Sequence, residues 1–136
     1  MYQTILLPID LAHTEKCKAM LDIAKELGGK GARFILINVI EDIPAYVMAQ
    51  VPGEIIKKIR KNAQTELKGM AKAAGLRAEI EVRSGSAATA ILSAADAIAA
   101  DLIVIASHKP GLQDYLLGST ASRIVRHANC TVLVIR

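Results

Sequence analysis

The chain has 136 residues, 52% of them hydrophobic but only 3% aromatic, with no Trp and a net charge of +4. That length predicts one domain over residues 1–136, built on an aliphatic core. Basic residues such as Lys57, Lys58, Arg60 and Lys61 interleave with apolar ones as on a solvated helix face, without a dense basic stripe or an aromatic platform, which argues against a nucleic-acid partner.

Cys17 and Cys130 follow no metal or redox spacing and read as reduced, buried small hydrophobes. The start lacks a basic leader region, and Asp96 and Asp101 interrupt the most apolar stretch, so the expectation is a cytoplasmic protein with no membrane contact.

Thr4–Ile9 is a continuous apolar run, as expected of a strand buried on both faces, with Asp10 at its carboxyl end. Cys17, Met20, Leu21, Ala24 and Leu27 fall at helical spacing and predict a helix from Thr14 to Leu27, stopped by Gly28 and Gly29. Phe34–Ile40 reads as a second buried strand. Glu41–Gly53, with Pro44 and Pro52, reads as a loop or flap that closes over a site or a partner. A long helix over Glu54–Ala74 then carries Ile55, Ile59, Ala63, Leu67, Met70 and Ala74 as its core stripe and ends at Gly75.

Ala78–Arg83 alternates, with Ala78, Ile80 and Val82 opposite Glu79, Glu81 and Arg83, the pattern of a half-exposed or edge strand. Ser86 is the expected N-cap of a small-residue helix over Ala87–Ala99. Leu102–Ala106 is a further apolar strand, Ser119–His127 a helix, and Val132–Ile135 a last buried strand. Strict alternation of strand and helix predicts a doubly wound α/β domain with a parallel sheet.

The segment between Leu102 and Ala128 carries the chemistry. A buried strand breaks into the polar loop Ser107-His108-Lys109-Pro110-Gly111 and restarts at Gly118-Ser119-Thr120 as a helix. Helix-start N–H groups are unpaired and partly positive, so a strand-loop-helix unit of this kind can cradle phosphate. Gly-Ser-Thr is equally an ordinary N-cap, and the polar length of the loop favours the cradle. With a strand order of 3-2-1-4-5, the ligand would sit between the ends of strands one and four, with Val39-Ile40 walling an apolar slot.

At Thr4–Asp10, Tyr115–Ser119 and Arg126–Arg136 the sequence resembles the universal stress protein family over its whole length, and Ser107–Pro110 with Tyr115–Leu117 is most similar to the F/G-type branch. The resemblance implies a five-stranded parallel sheet of order 3-2-1-4-5, a homodimer joined through the last strand, and ATP binding, with or without magnesium. No tuned general base stands out in the sequence, so the expectation is a regulatory nucleotide-binding module rather than an enzyme, at most with slow ATP hydrolysis or self-phosphorylation at Ser119 or Ser107.

The family's loop reads Gly, two residues, Gly, nine residues, Gly, then Ser or Thr. Here Ala106 and Lys109 replace the first two glycines, eight residues separate Lys109 from Gly118, and Gly118 and Ser119 match. The cofactor site implied comprises Pro8, Ile9, Asp10, Val39, Ile105, Ala106, Ser107, His108, Lys109, Gly118, Ser119, Thr120 and Ala121. A member that binds no ATP and acts as a dimeric interaction protein is the alternative. Asp10 reads either as a contact to adenine, ribose or magnesium or as a cap on the following turn, and Lys109 as a phosphate partner or a solvated lysine. His13 and His108 could approach each other, but no spacing supports a metal site, and no catalytic triad or carboxylate pair is present in the sequence.

Overall fold

The computed structural model describes residues 1–41, 44–107 and 117–136. Among them the order is β1 (Tyr2–Pro8), α1 (Cys17–Leu27), β2 (Gly28–Glu41), α2 (Ala45–Met48), α3 (Gly53–Ala73), β3 (Glu79–Gly85), α4 (Ala87–Ala97), β4 (Leu102–Ala106), α5 (Ser119–His127) and β5 (Thr131–Ile135). The strands form one parallel sheet in the order β3-β2-β1-β4-β5. This is the doubly wound arrangement expected.

Each central strand carries an apolar run, Ile5–Leu7, Phe34–Ile37 and Leu102–Ile105, because that part of it is covered on both faces. Ile5 and Leu7 of β1, Leu36 of β2 and Val104 of β4 face one core, with Met20, Leu21 and Ala24 of α1 and Leu67 of α3. Leu6, Ile35, Ile37 and Ile103 alternate to the other side, with Ile91 and Ala94 of α4 and Ile124 of α5. Among the described residues no helix is long and apolar enough to cross a membrane.

Several boundaries differ from expectation, each for a local reason. Helix α1 begins at Cys17, not Thr14: Cys17 N–H bonds back to Thr14 O (3.1 Å) in a turn, and Met20 N–H to Lys16 O (3.0 Å) starts the helix. Strand β2 begins at Gly28, six residues before Phe34, because a bulge lets Tyr2 pair with Gly28 while Thr4 pairs with Arg33. Gly28 ends α1 in an extended conformation (φ −71°), and a Cβ there would lie 2.7 Å from the Phe34 ring. Close packing, not a left-handed cap, requires that glycine.

Helix α3 keeps Ala63, Leu67, Met70 and Ala74 of the predicted stripe against the core, and departs from it only in its first two turns. Ala63, Leu67 and Ala71 are buried, whereas Ile55 and Ile59 stand 48% and 44% exposed. In that half of the helix Arg60 is the residue that reaches the sheet: its guanidinium donates to Val82 O (2.7 Å) and Ser84 Oγ (3.0 Å) at the carboxyl end of β3. The helix ends as predicted, with Gly75 at φ +67° and Leu76 N–H bonding to Ala71 O (2.9 Å). It carries Lys57, Lys58, Arg60, Lys61, Lys68 and Lys72 against Glu54 and Glu66, an excess equal to the whole chain's +4.

Helix α4 stops at Ala97, and Ala99 closes it in the left-handed region (φ 52°), with Ala100 N–H bonding to Ala95 O (2.9 Å). Ser86 stands at the N-cap but makes no side-chain capping bond. The last strand is half-buried rather than buried because it lies at the sheet edge, and Cys130 beside it is half-buried too.

Candidate functional site

All five strands run the same way, so their carboxyl ends form one rim. After β1 the chain moves outward to β2 and β3, then returns to the far side of β1 for β4. The helices on the two sides of that reversal leave a crevice between them. A cavity of about 300 Å³ occupies it, lined by Pro8, Ile9, Asp10, Val39, Ile105, Ala106, Ser107, Gly118, Ser119, Thr120 and Ala121. These are the expected site residues that fall among the described ones. His108 and Lys109, with Gly111, lie outside the described residues, and so does any approach of His108 to His13.

On the β1 side, Ile9 N–H donates to Ile37 O (2.8 Å), which carries the chain past the strand end in register with β2. Asp10 then holds its own turn: Oδ1 accepts the Ala12 N–H (2.9 Å) and Oδ2 lies 3.0 Å from His13 Nδ1. The capping role considered for Asp10 is therefore present, and the residue lines the cavity as well. The hydrogen bond that His13 donates to Asp10, then the charge of Asp10, raises the His13 pKa above the ordinary histidine value.

Asn38 on β2 donates from Nδ2 to Ile9 O (2.9 Å), locking the ends of β1 and β2 together beside Val39. Cys17, Met20, Ile37 and Ile91 add an apolar lining. The Cys17 thiol is pushed up by burial and then by the charges of Asp10 and Glu15, so it stays protonated and behaves as a small hydrophobe.

On the β4 side, Ser107 is the fixed point. It is buried, its N–H donates to Ile135 O (2.9 Å), and its Oγ accepts the buried Gly118 N–H (2.8 Å). Its carbonyl accepts the Lys16 ammonium (2.8 Å), reaching across from the start of α1. One residue thus ties β5, α5 and α1 to the end of β4.

Gly118 is the N-cap of α5 (φ −63°, ψ 158°) and offers no side-chain cap. Ser119 and Thr120 lie inside the first turn, so neither caps it. The first helical bond runs from Ser122 N–H to Gly118 O (2.8 Å). The N–H groups of Ser119, Thr120 and Ala121 come before it and have no partner within the helix. They border the cavity, as the cradle reading expected. A second cavity of about 410 Å³ adjoins, sharing Ser119 and Thr120 and bordered by Arg123.

The sequence reading missed Asn38, Lys16 and Glu41. An amide inside the apolar run Phe34–Ile40 was a usable signal, because a buried polar group needs a partner. Nothing in the pattern around Lys16 or Glu41 marks either. Among the described residues no group of three or more His, Cys, Asp or Glu could hold a metal.

The cavity offers an apolar slot with a carboxylate on one wall and, on the other, helix-start N–H groups that have no partner within the helix, which suits a ligand with a flat apolar part and an anionic part. Fold and site together define an open doubly wound α/β domain with a ligand crevice at the point where strand order reverses. The family model that matches residues 1–136 is that of the universal stress protein family, and the chain belongs to that family.

A universal stress protein of Methanocaldococcus jannaschii is 31% identical over 141 residues, covering 100% of this chain and 83% of that protein. Universal stress protein G of Salmonella typhimurium is 28% identical over 142 residues, covering all of both. Among solved structures, the hypothetical protein MJ0577 superposes with a TM-score of 0.82 at 26% identity, covering 99% of this chain and 96% of that one. A universal stress protein solved in complex with cAMP gives 0.65 at 25% identity, with 99% and 97% covered.

Proposed function

We propose that this universal stress protein binds ATP in the crevice and serves as a regulatory module rather than as a catalyst. The adenine lies against Pro8, Ile9, Asp10 and Val39. The sugar passes Ile105, Ala106 and Ser107, and the phosphates meet the N–H groups of Ser119, Thr120 and Ala121 beside Gly118. The observation that carries the reading is that both halves of the predicted site line one cavity. The relative solved with cAMP supports an adenine nucleotide as the ligand class. Magnesium, where it accompanies ATP, would ride on the phosphates. A binding role also fits the side chains: Asp10 is engaged in its own turn, and the Ser107 oxygen accepts from Gly118.

A homodimer through β5 completes the proposal, because an edge strand with half-buried apolar residues needs a cover. The second reading is a dimeric interaction protein that binds no nucleotide; Ala106, where the family's loop begins with glycine, favours it. Mass spectrometry of freshly purified, denatured protein and calorimetry with ATP decide between them. The expected result is an adenine nucleotide released from the protein, with ATP affinity lost in a folded Gly118→Val variant. Unchanged affinity in that variant, or no binding by the parent protein, refutes the ATP site.

A further inference from the structure

We propose that Lys16 supplies the positive charge for the phosphates of the nucleotide, a role that rests on the nucleotide reading above. The described lining of the cavity is poor in positive charge. Asp10 and Glu41 bring carboxylates, and the imidazole of His13 pairs with Asp10. A polyphosphate entering this crevice would gain from a cation close to the α5 end.

Lys16 stands there. Its Nζ is 2.8 Å from Ser107 O, and the Oγ of the same serine accepts the Gly118 N–H at 2.8 Å. One residue thus separates the ammonium from the start of α5. Ser107 O is a neutral acceptor, so the contact leaves the charge uncancelled, and no ion pair to Lys16 occurs among the described residues. Exchanging a carbonyl for a phosphate oxygen turns a charge–dipole contact into a charge-assisted hydrogen bond. Arg123 borders the adjoining cavity on the other side of the first turn of α5 and is exposed, which makes it the control cation.

A purely structural role, in which Lys16 only ties α1 to β4, predicts something different. Loss of the tether would loosen the whole crevice and weaken every ligand alike.

The test is calorimetry of adenosine, AMP and ATP with the parent protein, Lys16→Gln, Lys16→Arg and Arg123→Gln, each checked for folding by its melting curve. Lys16→Gln should weaken ATP about ten- to hundred-fold, the worth of one charged hydrogen bond, while adenosine affinity stays put. Lys16→Arg should recover most of the loss, and Arg123→Gln should cost less than Lys16→Gln. The ATP affinity of Lys16→Gln should also depend less steeply on salt than that of the parent. Equal weakening of adenosine and ATP, or no change in ATP, overturns the role of Lys16 and leaves the nucleotide site standing. A parent protein that binds none of the three ligands overturns both.

Discussion

Replacing Ser107 with alanine removes one oxygen from a place where it is hard to replace. The side chain is 7% exposed, and its Oγ is the acceptor of the Gly118 N–H at 2.8 Å. Gly118 is itself buried, so the variant leaves a backbone donor away from water with no acceptor. A buried donor orphaned in this way costs about 1–3 kcal/mol, and the deleted oxygen is too small to leave a cavity that adds much. We expect about 2 kcal/mol, which for a chain of this size is a fall of roughly 8 °C in Tm. Urea unfolding of the ligand-free variant should show a lower midpoint with an unchanged slope, since the surface exposed on unfolding is the same. Ser107→Thr, which keeps the oxygen, should lose less. A loss below about 0.5 kcal/mol for Ser107→Ala would mean that Gly118 finds another acceptor, and the view of Ser107 as the pin of the crevice would be wrong.

Three further outcomes are expected. Ala99→Gly should stabilise the protein by about 0.5–1 kcal/mol in thermal melts, because Ala99 sits at φ 52° and glycine adopts that region without strain, less its own entropic cost. In NMR titrations His13 should take up its proton above the ordinary value of about 6.5, and Asp10→Asn should bring it back. Because the folded pKa is the raised one, the stability that this pair contributes is full below the unfolded pKa and is lost as pH rises through the folded pKa. Light scattering should give about twice the 14.5 kDa chain mass, and Val132→Lys in β5 should yield monomer; a parent protein that is monomeric at high micromolar concentration contradicts the proposed dimer.

The central strands were legible because their apolar runs have only one explanation: Ile5–Leu7 and Leu102–Val104 are unbroken since helices cover both faces. Strand order entered through the likeness to a family, and the sheet bears it out. The expected site residues among the described ones do share a cavity, because the end of a buried strand and the start of a helix are both visible as changes in pattern. What escaped depends on contacts between distant segments. Ile55 and Ile59 keep the helical period of a core stripe yet stay exposed, while Arg60 beside them reaches β3. The bond from Lys16 to Ser107 spans 91 positions, and no local pattern encodes it. The early start of β2 came from a bulge opposite Tyr2, a pairing that hydrophobic periodicity does not register.

Helix α3 holds the chain's entire surplus of positive charge, and Arg60 fastens its first half beside the end of β3, on the same rim as the crevice. The molecule is therefore electrically lopsided. At low ionic strength its field extends well past the surface and biases the approach of anions toward that rim before any contact forms. At physiological salt the reach shrinks to about 8 Å, so the bias persists only at close range. On the proposed nucleotide reading, arrival of the anionic ligand should then slow as salt rises, and the affinity should fall with it. Neutralising Lys57, Lys58 and Lys61, none of which borders the cavity, would slow arrival while leaving departure alone.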